Sequence, residues 1–116
     1  MAMTDAEITQ LLSTPRLGML TTLRPDGSPV TVPVWFEWDG AEVRIFASEG
    51  SPKVRRLRVD PRATLLVANH VQDPEAWVAF DGEITIGDAG AIELAERLAE
   101  RYWDMSRADH RATVQS

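Results

Sequence analysis

Lys53, the single lysine of the chain, opens a run of five cations in ten residues with Arg55, Arg56, Arg58 and Arg62. The segment that carries them is Ser48-Glu-Gly-Ser-Pro-Lys-Val-Arg-Arg-Leu-Arg-Val-Asp-Pro-Arg62. It follows a strand-like stretch and reads as the start of a helix. The first turn of a helix presents unbonded amides and the positive end of the helix dipole, so it attracts anions. Backbone amides, the Ser48 and Ser51 hydroxyls and the Lys53 ammonium could converge there on one phosphate. That chemistry suits a phosphate-bearing cofactor. The plainer alternative is a solvated helix face, with Arg55, Arg56 and Arg58 paired to the acidic surface.

The residue types that are missing narrow the chemistry further. The chain has no cysteine, which removes disulfides, thiolate zinc sites and cysteine nucleophiles together. It has no GxGxxG, no Walker loop and no Gly-x-Ser-x-Gly. His70 and His110 lack an acid or metal partner at a useful spacing, and His70 reads as a strand-end residue. Glu37 and Glu49 read as solvent-facing carboxylates. A hydrolase with its own nucleophile and base cannot be assembled from this set. An enzyme built on it takes its chemistry from a cofactor.

Twelve Lys+Arg against eighteen Asp+Glu give a formal charge of −6 over 116 residues. Phosphate-backbone binding depends on a basic face, so nucleic acid is not an expected partner. No apolar run approaches the ~20 residues of a membrane span. The acidic, amphipathic N-terminus does not read as a signal peptide. These features predict a cytoplasmic protein without a membrane partner. Four tryptophans are present, and Trp35 and Trp38 flank Phe36 at alternating positions. Alternation puts neighbours on opposite faces. One aromatic face is therefore open to solvent, a partner subunit or a flat ligand, unless Trp35 or Phe36 is simply core.

The elements that must position the basic segment follow from local signals. Thr4-Asp-Ala-Glu7 is a capping box, Ile8, Leu11 and Leu12 share a face, and Pro15 stops the first helix near Ser13. Leu17–Leu23 reads as a strand and Arg24–Ser28 as a tight turn. Val30–Trp38 reads as a second strand, an edge or locally irregular at Pro29 and Pro33. Asp39-Gly40 signals a two-residue hairpin into a third strand, Val43–Ser48. The basic helix spans about Pro52–Val59, with proline in the first turn and Val54 and Leu57 inward. Ala63–Asn69 is a buried strand. Trp77–Phe80 and Glu83–Ile86 form either a strand pair or one bulged strand. Asp88 caps a last helix from about Ala89 to Trp103, with Ile92, Ala95, Leu98, Ala99 and Tyr102 inward and Glu93 paired to Arg97. Residues 1–103 read as one domain and 104–116 as a polar tail. Many short strands with few helices favour a closed barrel, which removes exposed edges.

Three blocks in this order resemble the pyridoxamine 5′-phosphate oxidase-like split β-barrel family. They are Leu20-Thr-Thr-Leu-Arg-Pro-Asp-Gly-Ser-Pro29, Val32-Pro-Val-Trp-Phe36, and Ser48 followed by Lys53 through Val67, which contains Leu57-Arg-Val-Asp-Pro-Arg62. The likeness runs over about residues 8 to 103 and is nearest the actinobacterial flavin/deazaflavin oxidoreductase branch. It implies a mainly β fold with α, a six-stranded antiparallel split barrel flanked by short helices. It also implies a homodimer with cofactor at the subunit interface.

The implied cofactor is the deazaflavin coenzyme F-420, with FMN as the alternative. The long basic cluster suits a phosphodiester with an acidic tail. By position, Val32, Pro33 and Val34 would border the ring system, and Phe46, Ala47 and Ser48 the ribityl chain. Ser51 and Lys53 would hold the phosphate, helped by Arg55 or Arg56, and Trp77 would reach in from the other subunit. No dedicated catalytic residue and no metal is implied. Ser51 stands where many relatives carry an arginine, and most relatives continue past the last helix into another strand.

The expected activity is hydride transfer between the cofactor and a small organic substrate. A non-catalytic cofactor-binding protein, a plain structural dimer and an FMN-dependent pyridoxamine 5′-phosphate oxidase are the alternatives. The last would need a second phosphate-binding set of basic residues, which the sequence does not supply.

Overall fold

The fold is seen in a computed structural model that describes residues 3–87 and 89–102. Asp88, Trp103, His110 and the tail 104–116 lie outside the described residues, so the expected cap, helix end and polar tail are not addressed by it.

Among the described residues, three helices and six strands make a mainly β protein. The order is α1 (Asp5–Ser13), β1 (Gly18–Leu23), β2 (Pro29–Val34), β3 (Glu37–Trp38), β4 (Val43–Arg44), α2 (Pro52–Val59), β5 (Arg62–Ala68), β6 (Trp77–Glu83) and α3 (Ala91–Tyr102). The capping box of α1 is complete. Thr4 Oγ1 accepts from the Glu7 amide at 3.1 Å, and Glu7 Oε1 accepts from the Thr4 amide at 3.0 Å. Strands β2-β1-β5-β6 form a four-stranded antiparallel sheet in that order, and β3-β4 form a separate hairpin. The register places Leu20 opposite both Val32 and Leu65, and Leu65 opposite Phe80. Period-two alternation thus turns these residues to one face. There they meet Leu11 and Leu12 of α1, together with Phe36, in a single core. Gly18 lies where Phe36 and Leu65 press closest: a Cβ built on it would stand 2.7 Å from Leu65 Cδ1 and 3.2 Å from Phe36 Cδ1.

Several elements differ from the sequence expectation. The expected second strand breaks after Val34, and the third stops at Arg44. The break in the second strand is the work of Tyr102 of α3. Its hydroxyl accepts from the Phe36 amide at 3.3 Å and donates to the Arg16 carbonyl at 2.6 Å. The Phe36 amide is therefore spent on a helix rather than on a strand partner. Trp35 stacks flat on Tyr102, with ring centroids 5.1 Å apart, while Phe36 turns fully into the core. The hairpin loop is longer than two residues: Asp39 Oδ1 accepts from the amides of Ala41 and Glu42, and Gly40 takes positive φ. Asp81-Gly82 makes no turn; both lie within β6, opposite Thr64 and Ala63. In α3, Leu94 is buried in place of Ile92, which is 69% exposed. Arg97 pairs with Glu37 at 2.6 Å instead of with Glu93.

Candidate functional site

The basic helix has the expected bounds, and its start is built from local sequence. Gly50 takes φ +81, a left-handed turn open to glycine. This turn lets the Ser51 amide reach the Ser48 carbonyl at 3.1 Å. Ser51 is the N-cap: its hydroxyl accepts from the Val54 amide at 3.4 Å. Accepting there leaves the hydroxyl proton available to a ligand. Pro52 has no amide to satisfy, so the Lys53 amide is the next donor at this end of the helix. Ser48, Ser51 and Lys53 are thus gathered at one helix start, and the Ser48 side chain is exposed.

The five cations fall into two groups. Arg58 is paired with Glu49 at 3.3 Å, and Arg62 with Asp60 at 2.8 Å. Chiefly through that hydrogen bond, Arg62 holds the Asp60 carboxyl below the usual range. Arg56 donates through Nε to Thr22 Oγ1 at 2.8 Å, and Thr22 is buried. Lys53 and Arg55 make no side-chain hydrogen bond or ion pair among the described residues. The acidic pairing expected of the plain alternative is seen for Arg58 and not for Arg55 or Arg56. An anion arriving at α2 meets two uncommitted cations, a free amide and two hydroxyls. That donor set fits a phosphate.

Thr22 had been missed from the sequence. Its signal was a polar residue at an inward position of an alternating strand, two places after Leu20. It ties α2 to β1 directly opposite Val30 of β2. The helix and the Val32–Val34 segment therefore lie against the same two-strand region. Val32 is half-buried, Pro33 exposed and Val34 buried. Phe46, Ala47 and Ser48 run between β4 and α2, with Phe46 40% exposed. Trp77 is not part of this group within one chain. It opens β6, three strand positions from β2, and is 58% exposed. Three inter-strand spacings amount to about 14 Å.

Two clefts lie outside the predicted site. One of about 470 Å³ opens between the β3–β4 hairpin and β5–β6, and one of about 400 Å³ crosses β1, β5 and β6 near Thr21 and Asp81. Neither is lined by the predicted cofactor residues. The hairpin is fixed by charge. Arg97 clamps Glu37 through two bonds of 2.6 and 3.0 Å, and that clamp holds the Glu37 carboxyl below its usual range. Asp39 is held down to about 2 by the Glu42 and Ala41 amides and then by Arg44. Among the described residues no group of three His, Cys, Asp or Glu side chains could hold a metal ion. None of the described helices is long and apolar enough to cross a membrane.

Comparison with known proteins gives a consistent picture. Residues 4–115 match the sequence profile of the family described as pyridoxamine 5′-phosphate oxidase. A protein of Mycobacterium tuberculosis (strain CDC 1551 / Oshkosh), named F420H(2)-dependent biliverdin reductase, is 38% identical over 95 residues. The match takes in 78% of this chain and 66% of that protein's length. A conserved hypothetical protein of Mycobacterium tuberculosis, Rv2991, superposes with a TM-score of 0.80 at 28% identity, over 98% of this chain and 73% of that one. A structure titled F420 reductase superposes with a TM-score of 0.74 at 26% identity, over 88% of this chain and 83% of that one.

Proposed function

The chain belongs to the pyridoxamine 5′-phosphate oxidase family, and from that premise we propose that it is an oxidoreductase using a deazaflavin of the F-420 type to reduce a small organic molecule. The observation that carries this reading is the state of the cations on and just after α2. Lys53 and Arg55 are uncommitted at a capped helix start, while Arg58 and Arg62 are neutralised by Glu49 and Asp60. A phosphate seated on the Lys53 amide, the Ser51 hydroxyl and the Lys53 ammonium would leave Arg55, two residues further along the helix, free for a further anionic group. An acidic tail beyond the phosphate gives Arg55 a partner, and a compact phosphate monoester does not. The names of the 38% and 26% identical relatives favour the same cofactor.

In this reading Val32, Pro33 and Val34 border the ring system, and Phe46, Ala47 and Ser48 follow the chain to the phosphate. Hydride donation is the chemistry a bound, reduced deazaflavin supplies. The protein supplies position, a cationic anchor and exclusion of water. The active form is a homodimer, working in the cytoplasm. Support for the dimer comes from the sheet face opposite the core. There Met19 and Leu66, paired across β1 and β5, are 39% and 37% exposed, and Trp77 lies on the same face. A second copy laid on that face would bring Trp77 toward the cofactor of its neighbour.

The test is a pair of titrations, with F-420 and with FMN, followed by quenching of tryptophan fluorescence. Tight binding of F-420 with little of FMN is the expected result. Preference for FMN would replace the cofactor, and binding of neither would overturn the reading.

A further inference from the structure

The Tyr102 hydroxyl stands where a rung of the β1–β2 ladder would be. The register of these strands stops at Gly18 opposite Val34. Carried two residues further, it would set Arg16 opposite Phe36, joined by a direct backbone bond. The hydroxyl takes both groups of that bond instead. It accepts from the Phe36 amide at 3.3 Å and donates to the Arg16 carbonyl at 2.6 Å. A direct bond would hold amide and carbonyl about 2.9 Å apart. The hydroxyl is thus a spacer that spreads the two strands just past Val34.

The spacer is itself held. The neighbouring Arg101 donates to the carbonyls of Leu12, Ser13 and Thr14 at 2.6, 3.1 and 3.0 Å, closing the end of α1. Its guanidinium lies 5.4 Å from the ring centroids of both Phe36 and Tyr102, and the Tyr102 ring stacks on Trp35. At the far end of the same two strands, Arg56 ties α2 to Thr22, opposite Val30. The Val32–Val34 segment therefore runs between two tethers. One leads to the helix that carries Ser51 and Lys53, the other to α3.

We propose that Tyr102 is a positioning residue for the cofactor, acting through the backbone of Val34 and Phe36. The inference rests on the deazaflavin reading above. The hydroxyl sets where β2 leaves β1, and so how the segment bordering the ring lies relative to the phosphate anchor on α2. Without it, Arg16 and Phe36 close on each other and the border moves while α2 stays. The ring end of the cofactor then loses its fit and the phosphate end keeps its own.

The test is Tyr102→Phe, which removes the hydroxyl and leaves a ring for Trp35 and Arg101. Binding of F-420 is followed by the anisotropy of its own fluorescence, and the ring environment by visible circular dichroism of the saturated protein. Affinity is expected to fall about fivefold, the worth of one hydrogen bond, and the dichroism at saturation to change. Lys53→Ala, which acts at the phosphate, should lose affinity and keep the dichroism of the parent protein. A second measurement uses the parent protein alone. Coupling is reciprocal, so F-420 should slow hydrogen exchange of the Phe36 amide by about fivefold and then level off. A saturated Tyr102→Phe protein with the parent's dichroism, or Phe36 exchange indifferent to F-420, would overturn this proposal alone. Failure of the parent protein to bind F-420 would overturn the deazaflavin reading and this proposal together.

Discussion

Arg56 Nε donates to Thr22 Oγ1 across 2.8 Å, and Thr22 is 1% exposed. One nitrogen of an arginine of the basic helix is thereby tied to the sheet. Replacing Thr22 with valine keeps the shape and removes the acceptor. Arg56 is half-buried and can turn toward water, so the expected loss is about 1 kcal/mol, at the low end for a bond to a charged group. Thr22→Ser should restore most of it. Urea denaturation midpoints of the three proteins decide the matter, and an unchanged midpoint in the valine variant would show that the bond contributes nothing.

Lys53→Ala should weaken F-420 binding by about 1.5–3 kcal/mol, the cost of losing a hydrogen bond to a charged group. Arg58→Ala is the control on the same helix. Its side chain is about half exposed and pairs with the still more exposed Glu49, so its loss should leave affinity within a factor of about five. Titration of both variants reads this directly. Equal affinity of Lys53→Ala and the parent protein would remove the phosphate from this helix start.

Gly18→Ala should destabilise the protein by about 1–3 kcal/mol through overpacking. The new methyl meets Leu65 Cδ1 at 2.7 Å and Phe36 Cδ1 at 3.2 Å, and both neighbours are buried. Leu65→Val on the same background opens room beside Gly18, so the two changes should be less than additive. Thermal melts of the four proteins in the cycle measure the coupling, and strict additivity would deny the contact.

Acid should loosen the hairpin late. The Asp39 carboxyl falls from its ordinary 3.8 to about 2 because the Glu42 and Ala41 amides and Arg44 bind its ionised form. A depressed folded-state value stabilises the protein fully above the unfolded value and loses that effect as pH drops through the folded one. The contribution therefore vanishes between about pH 4 and about pH 2. Asp39→Ala should flatten the stability profile in that window and leave its shape above it unchanged. Denaturation series at several pH values for both proteins check the sign.

Much of this was readable in the sequence because the signals were local. Ser51-Pro52 starts α2, Thr4 and Glu7 cap α1, and Pro29 and Pro33 mark β2 as an edge, all from spacings of a few residues. The failures have a common physical origin in contacts far apart along the chain. Tyr102 takes the Phe36 amide from 66 positions away and interrupts the second strand. Arg97 prefers Glu37, 60 positions back, to its helical neighbour Glu93 because the distant carboxylate offers a two-bond clamp. At the candidate site the cluster of cations was visible, but which of them were already spent was not. That depended on Thr22, Glu49 and Asp60, of which only the last two are near in sequence.

The prolines of β2 carry one more consequence. In an antiparallel ladder alternate residues point their peptide groups away from the partner strand, and Pro29, Thr31 and Pro33 share one parity. Two of those three outward positions have no amide hydrogen to give. A stray strand approaching this side of the sheet finds carbonyls to donate to but only the Thr31 amide to accept from, so growth into fibrils or runaway sheets is disfavoured where the sheet ends in β2.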